Sequence, residues 1–363
     1  MAVTLTVDVA AVRHNIAALG RRLALQGIDV VGVTKAVDGE PDVGAAMLAG
    51  GAAALADSRL PSLARLAARD LGPRLLIRPP QHDELDLAIE VADVLLLSDF
   101  STAQALSARA AGRTLSVLMI VDMGDRRDGV LPDDAVALAA RLAALPGVAL
   151  SGIAVQFACI SGLQPSLDLF AQAEEILAAV AGSCASEPTL SLGGTYCLPH
   201  LFEGFRPRHV CHIRLGAALY FGHYTLPAVA PVPGLMRADP VLTATVIESR
   251  LKPGPPLGLI GPDAFGHVPE TTLPQAEARH VLLALGRRDG EPRALHPLLP
   301  ESYIAGMSSD HTLLITTTPL AAGDTVDFAL DYEGLVRAVT SPYGRPVFTD
   351  RHYLPTAPAG GPA

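Results

Sequence analysis

Lys35 and Lys252 are the only lysines among 27 basic side chains, so arginine meets almost every other need for positive charge. An arginine stays protonated and cannot form an imine, whereas a lysine amine can lose its proton and attack an aldehyde. Lys35 directly follows the apolar run of IDVVGVT, which places it at a strand end; Lys252, in RLKPGPP, reads as a surface residue. Other polar residues stand at equivalent places. They are Asp57, Ser58 and Arg59, then Arg78, the Asp122 to Arg127 loop, Gln156, Gly193 to Thr195, and Arg214 with Gly216. Singly, an arginine or aspartate at a strand end is more often an ion-pair partner than a catalyst. Jointly they point to a site for an anionic ligand. Gly193 and Gly194 let backbone N–H groups approach a phosphate and Thr195 adds a hydroxyl, although a plain turn accounts equally well for those residues alone.

What must position these residues is an alternation of short apolar runs with helical segments. The runs are IDVVGVT, AAALAD, PRLLIR, ADVLLLS, LSVLMIVD, LSGIAVQF, TLSLGG and HVCHIRLG, eight in all. VLLLS and VLMIV are continuous rather than alternating, as in parallel strands covered on both faces. A first helix is readable from Asp8 as N-cap through Val9, Val12, Ile16, Leu19 and Leu23 to Gly27, and another buries Phe170, Ala173, Leu177 and Val180 on one face. This is an α/β pattern, and a (β/α)8 TIM barrel is its first reading, with polar strand ends sharing one rim. A doubly wound open sheet is the alternative. After Tyr224 the Pro-rich PAVAPVPGL leads into runs that alternate apolar and polar residues, most clearly Val326, Phe328, Leu330 and Tyr332. The expected domains are a barrel over 1–228, a smaller C-terminal β domain over 229–355, and a disordered Pro/Gly/Ala-rich tail over 356–363.

Composition narrows the function. The 363 residues are half hydrophobic and only 18% charged, enough for a large core, and the formal net charge is -10 without tryptophan. No basic patch offsets that balance, which argues against nucleic acid and for a small-molecule substrate. Cys159, Cys184, Cys197 and Cys211 lack CxxC spacing, so neither a zinc site nor a disulfide framework is indicated; they read as reduced, mostly buried thiols. The opening MAVTLTVDVAAV lacks a charged start followed by an apolar run, and no later stretch reaches membrane-spanning length. The expected compartment is the cytoplasm, with no membrane partner.

VVGVTKAVDGEPDVGAAMLAGGAAALADSRL, MIVDMGDRRDGV, SLGGTYCLPHL, IRLGAALYFG, LGRRDG, GMSSDH and VTSPYG, in this order, resemble the alanine/ornithine racemase family of fold-type III pyridoxal-phosphate enzymes. The lysine strand and ADSR segment are most similar to the ornithine racemase branch. The resemblance implies a barrel and a β domain in a homodimer with shared active sites, racemising a free amino acid by α-proton removal and return. It implies that Lys35 holds pyridoxal 5'-phosphate and moves a proton, and that Arg214 faces the pyridine nitrogen. It places Arg127 by the cofactor oxygen and substrate carboxylate, and Gly194, Thr195 and Gly216 at the phosphate. Tyr343 falls near cofactor and substrate, Gln156 in the substrate pocket, and Asp310 where the partner subunit contributes to that pocket. A cation opposite the ring nitrogen disfavours its protonation, which weakens the ring as an electron sink and favours return of the proton over transamination.

The sequence also departs from that pattern. Alanine racemases use a tyrosine of the second subunit as second base; Arg287 stands there, and an arginine with a pKa above about 12 is a poor base. His311, Tyr303 and Asp310 are the candidates in its place, each equally able to be a structural hydrogen-bonding residue. Ala217 replaces an acidic residue of the ornithine branch, and Gln156, Phe157 and Ala158 replace an Asn followed by small polar residues. A neutral or less basic substrate is therefore expected. Two further readings keep the cofactor: another bond broken on the same scaffold (decarboxylation, aldol cleavage or elimination), or a non-catalytic carrier, against which the second domain counts.

Overall fold

The structure is a computed structural model that describes residues 3–224, 230–263, 265–268 and 273–350. The expected boundary at 228 and the tail 356–363 lie outside the described residues. The chain divides into two compact units, one of residues 9–237 and one of residues 1–8 with 238–363.

Strand β1 (Val3–Asp8) precedes the first helix, Val9–Ala24, whose buried stripe includes Val12, Ile16, Leu19 and Leu23 and whose last turn carries Arg21 and Arg22, cations suited to a helix C-terminus. The unit that this helix opens is a closed parallel barrel of eight strands. They are β2 (Ile28–Val33), β3 (Ala54–Asp57), β4 (Arg74–Leu76), β5 (Val94–Leu97), β6 (Leu115–Ile120), β7 (Val148–Ala154), β8 (Thr189–Gly193) and β9 (Val210–Leu215). Each corresponds to one of the eight apolar runs, and β9 pairs back onto β2, which excludes the open sheet. Two apolar clusters, one of Val31, Val33, Ala54, Ala56 and Leu75 and one of Leu96, Leu118, Ile120 and Ala154, both pack against Ile77 and Val94. A helix at Leu167–Val180 buries Phe170, Ala173, Leu177 and Val180, the face expected for it.

Barrel closure needs one glycine in particular. Gly152 lies where the β6–β7 register shifts, at φ 144°, and a Cβ there would fall 2.0 Å from the Thr189 carbonyl oxygen. No side chain fits there between β7 and β8.

The second unit is an eight-stranded sheet formed by β1 with β10 (Val241–Lys252), β11 (Ala278–Leu283), β12 (Leu295–Pro297), β13 (Ser302–Met307), β14 (Thr312–Thr316), β15 (Thr325–Leu330) and β16 (Gly344–Thr349). β1 runs antiparallel to β10 and parallel to β16, which is why residues 1–8 group with this unit and not with the barrel. β15 buries Val326, Phe328 and Leu330 as the alternation predicts, but Tyr332 does not continue it. Asp331 accepts the Gly334 N–H and caps a helix over Tyr332–Val339, and that cap outcompetes one more strand residue. Lys252 is a surface residue, ion-paired to Glu248 at 3.1 Å.

Candidate functional site

The polar strand ends of the barrel meet around a cavity of about 310 Å³, lined by Lys35, Ser58, Ile77, Arg78, Arg127, Asp128, Gln156, Cys159 and Arg214. Four cations face it, and its one lining carboxylate, Asp128, is taken by Arg127 Nε at 2.6 Å. Such a cavity suits an anion.

Lys35 opens the short turn after β2 and its side chain is accessible within the cavity. Partial enclosure by protein lowers its pKa; Arg127 and Arg214 act in the same direction, while Cys159 and Asp57 oppose them. The amine is therefore neutral, and able to attack an aldehyde, more often than an ordinary lysine. Asp57, wholly buried at the end of β3, accepts from Thr34 Oγ1 at 2.8 Å and from the Arg59 N–H at 3.0 Å. Burial raises its pKa against those hydrogen bonds.

Arg214, 5% exposed, is the inner cation. Its Nη1 donates to the Ser191 carbonyl at 2.9 Å and to Ser191 Oγ; its Nη2 donates to the Val155 carbonyl at 2.9 Å and, more weakly, to Gln156 Oε1 at 3.5 Å. Nε–H makes no hydrogen bond among the described residues, and it is the donor left for a ligand. Burial and then Arg127 push the pKa of Arg214 down to about 10, which leaves it charged at neutral pH. Gln156 is tied in place by Nε2, which donates to the Phe157 carbonyl at 2.9 Å.

Gly194 adopts φ 101°, a conformation glycine takes without penalty, and the Thr195 hydroxyl accepts the Ala218 N–H at 3.2 Å. The turn after β8 is thereby joined to the turn at Gly216 that begins the helix Ala217–Phe221. These are the glycines and hydroxyl expected at a phosphate.

Asp125, 3% exposed, accepts the N–H groups of Cys159, Ile160 and Ser161 and the Ser161 hydroxyl, and so holds the loop that carries the cavity-lining Cys159. Asp125→Ala leaves these donors unpaired and is expected to cost about 2–3 kcal/mol. A denaturant midpoint checks the loss, and hydrogen exchange at residues 159–161 should rise with it; unchanged exchange would show that the loop is held by something else. Cys159 itself accepts from Arg127 Nη1 at 3.1 Å and is exposed on the cavity wall, contrary to the expectation of mostly buried thiols. It is exposed because a loop, not a strand, carries it. Cys197 and Cys211 are buried, and burial holds the Cys197 thiol up at about 12.

Asp310, His311 and Tyr343 belong to the second unit. Arg288 brings two of them together, pairing with Asp310 at 3.9 Å while its guanidinium lies 4.9 Å from the centre of the Tyr343 ring. His311 sits in the turn 308–311, its N–H donating to Ser308 Oγ at 3.2 Å. Arg287 is held by Glu291 at 3.6 Å and stacks 4.6 Å from the Phe265 ring.

The cavity fits pyridoxal phosphate on two counts: an amine of lowered pKa and a buried guanidinium with one donor to spare. Its volume is at the lower end of the usual small-molecule range of about 300–1,000 Å³.

Comparison with known proteins agrees. The chain is 27% identical over 354 residues to a lysine racemase of Thermotoga maritima, covering 95% of this chain and 98% of the relative. It is 27% identical over 296 residues to an ornithine racemase of Acetoanaerobium sticklandii, covering 79% and 83%. The crystal structure of alanine racemase from D-cycloserine-producing Streptomyces lavendulae superposes with a TM-score of 0.76 at 22% identity, covering 96% of this chain and 97% of that one. Residues 7–224 match the family described as alanine racemase, N-terminal domain, and the chain therefore belongs to that family.

Proposed function

We propose that this chain is a pyridoxal-phosphate-dependent racemase of a free amino acid, with Lys35 as the cofactor-holding and proton-moving residue. The class of reaction and the cofactor are those of the family; the residue roles rest on the cavity. The observation that carries the reading is Lys35, an amine of lowered pKa in a cavity with Arg127 and Arg214. When bound, pyridoxal phosphate supplies the aldehyde and the electron sink that acidify the α-proton. Thr195 with the backbone of Gly194 and Gly216 would hold its phosphate, and Arg214 Nε–H would face its ring nitrogen. Arg127, its Nε fixed by Asp128, presents its remaining donors to a substrate carboxylate. Lys35 would take a proton from the α-carbon and give one back. Gln156 stands at the wall beside the substrate.

The second acid–base group is assigned to the second unit, with Asp310 and His311 as the catalytic candidates and Tyr343 beside the cofactor. This requires a homodimer in which a partner's second unit completes each barrel site, and active enzyme that sediments as a monomer would remove that part of the reading. Free thiols, one of them open to the cavity, fit the reducing cytoplasm.

No lining carboxylate is free to receive a terminal amine, and Ala217 offers none, which favours a neutral or less basic substrate. The test is a panel of single L- and D-amino acids, lysine and ornithine included, incubated with holoenzyme in D2O and read by chiral chromatography and mass spectrometry. Loss of enantiomeric purity with one deuterium at Cα is expected. Cleavage or mass loss without inversion would mean that the scaffold performs another reaction, and bound cofactor with no product would mean a carrier.

A further inference from the structure

Behind Arg214 lies a hydrogen-bonded chain that the racemase reading does not use. β8 and β9 pair in parallel with Ser191 opposite His212 and Gly193 opposite Arg214. Ser191 Oγ meets His212 Nε2 at 2.6 Å and also receives Arg214 Nη1. Gly193 leaves the space Arg214 occupies, because a Cβ there would fall 2.3 Å from Nη2 and 2.2 Å from Gln156 Oε1.

The direction of the chain follows from the groups. A guanidinium only donates, so Ser191 Oγ accepts from Arg214 and has its own proton to give. Burial, and then Arg214, pushes the pKa of His212 down to about 3, so the imidazole is neutral, and in the tautomer with its proton on Nδ1 its Nε2 takes the Ser191 proton. In that tautomer donation runs one way, from Arg214 through Ser191 to His212. A carboxylate at 212 would grip the serine equally well but would neutralise the cation. Among the described residues no carboxylate is hydrogen-bonded to Arg214.

We propose that Ser191 and His212 are positioning residues that fix the far edge of the Arg214 guanidinium through neutral groups, which aims Nε–H and an undiminished positive charge at the cavity. The inference rests on the cofactor reading above and extends it to buried Ser191 and half-buried His212. Its chemical consequence is control over the fate of the α-proton. A mobile guanidinium lets water or a proton reach the ring nitrogen, strengthens the electron sink and diverts turnover towards transamination, in which the substrate amine stays on the cofactor and the keto acid leaves.

The test uses Ser191→Ala, His212→Leu and His212→Gln in the full chain. Apoprotein is titrated with pyridoxal phosphate by absorbance, and holoenzyme is assayed for pyridoxamine phosphate formed per racemisation event. Ser191→Ala and His212→Leu are expected to weaken cofactor binding about tenfold, the effect of losing one hydrogen bond to a charged group, and to raise the transamination share at least as much. His212→Gln keeps an acceptor near the Nε2 position and is expected to stay close to wild type on both readouts. Wild-type binding and partition in Ser191→Ala and His212→Leu would overturn the proposal, as would a His212→Gln enzyme that fails like His212→Leu. Should His212→Leu not fold by circular dichroism, Ser191→Ala decides alone, since it removes one oxygen and changes little else. A wild-type protein that takes up no pyridoxal phosphate would refute the functional reading itself, whereas normal racemisation with silent variants refutes only this inference.

Discussion

Lys35→Ala is expected to abolish the absorbance band of the bound cofactor and to lower racemisation by at least about 10³-fold, because one residue both anchors the aldehyde and moves the proton. Lys35→Arg should be equally inactive although it keeps the charge, since a guanidinium cannot attack an aldehyde. The lowered pKa of Lys35 sets the expected pH behaviour as well. A larger fraction of the amine is neutral at any given pH, so cofactor capture by apoprotein should persist to lower pH than an ordinary lysine allows. The checks are spectral titration and chiral analysis on the same preparations. Retention of the band, or of a tenth of the activity, in Lys35→Ala would remove this lysine from the mechanism.

The second large effect is on stability in acid. His212 has a folded-state pKa near 3 against an ordinary 6.5, a base held neutral by burial and by Arg214. Between those values the unfolded chain binds a proton that the native protein refuses, so stability falls as pH falls. The contribution is complete above about pH 6.5 and is lost at up to about 1.4 kcal/mol per pH unit towards pH 3. His212→Gln carries no such proton. From pH 6.5 to pH 5 the wild type should lose about 2 kcal/mol more than His212→Gln in denaturant unfolding. Parallel curves for the two proteins would show that His212 is already protonated in the native state or that the barrel opens to admit the proton.

The barrel was the most legible part of the sequence. Its parallel strands are covered on both faces, which writes them as continuous runs such as VLLLS and VLMIV, and the polar residue ending each run marks the rim. Lys35 stood out because the chain has almost no other lysine. What could not be read were contacts between residues far apart in sequence. Ser191 and His212 look like unremarkable polar residues inside two apolar strands until the register sets them opposite each other. Cys159 looked like one more core thiol, because nothing local reveals that Asp125 gathers the loop around it and turns it to the cavity. Tyr332 continued a period of two, but Asp331 had already begun a helix. Residues 1–8 fall within the expected barrel span of 1–228, although their hydrogen bonds go to β10 and β16.

That last pairing makes the barrel an insertion. The chain lays down β1, departs at Val9, completes all eight barrel strands and returns at Ala238 to finish the sheet it began. The two ends of the insert are stitched together by Asn15, which donates to the Leu219 and Met236 carbonyls and accepts the Met236 N–H at 2.7 Å. During synthesis the barrel can close as soon as β9 emerges, whereas β1 must wait for β10 and then β16, both made after the barrel strands. Strand β1 is thus held open until the second unit is made, and a bulky group placed directly before it should delay the maturation of that unit and not of the barrel.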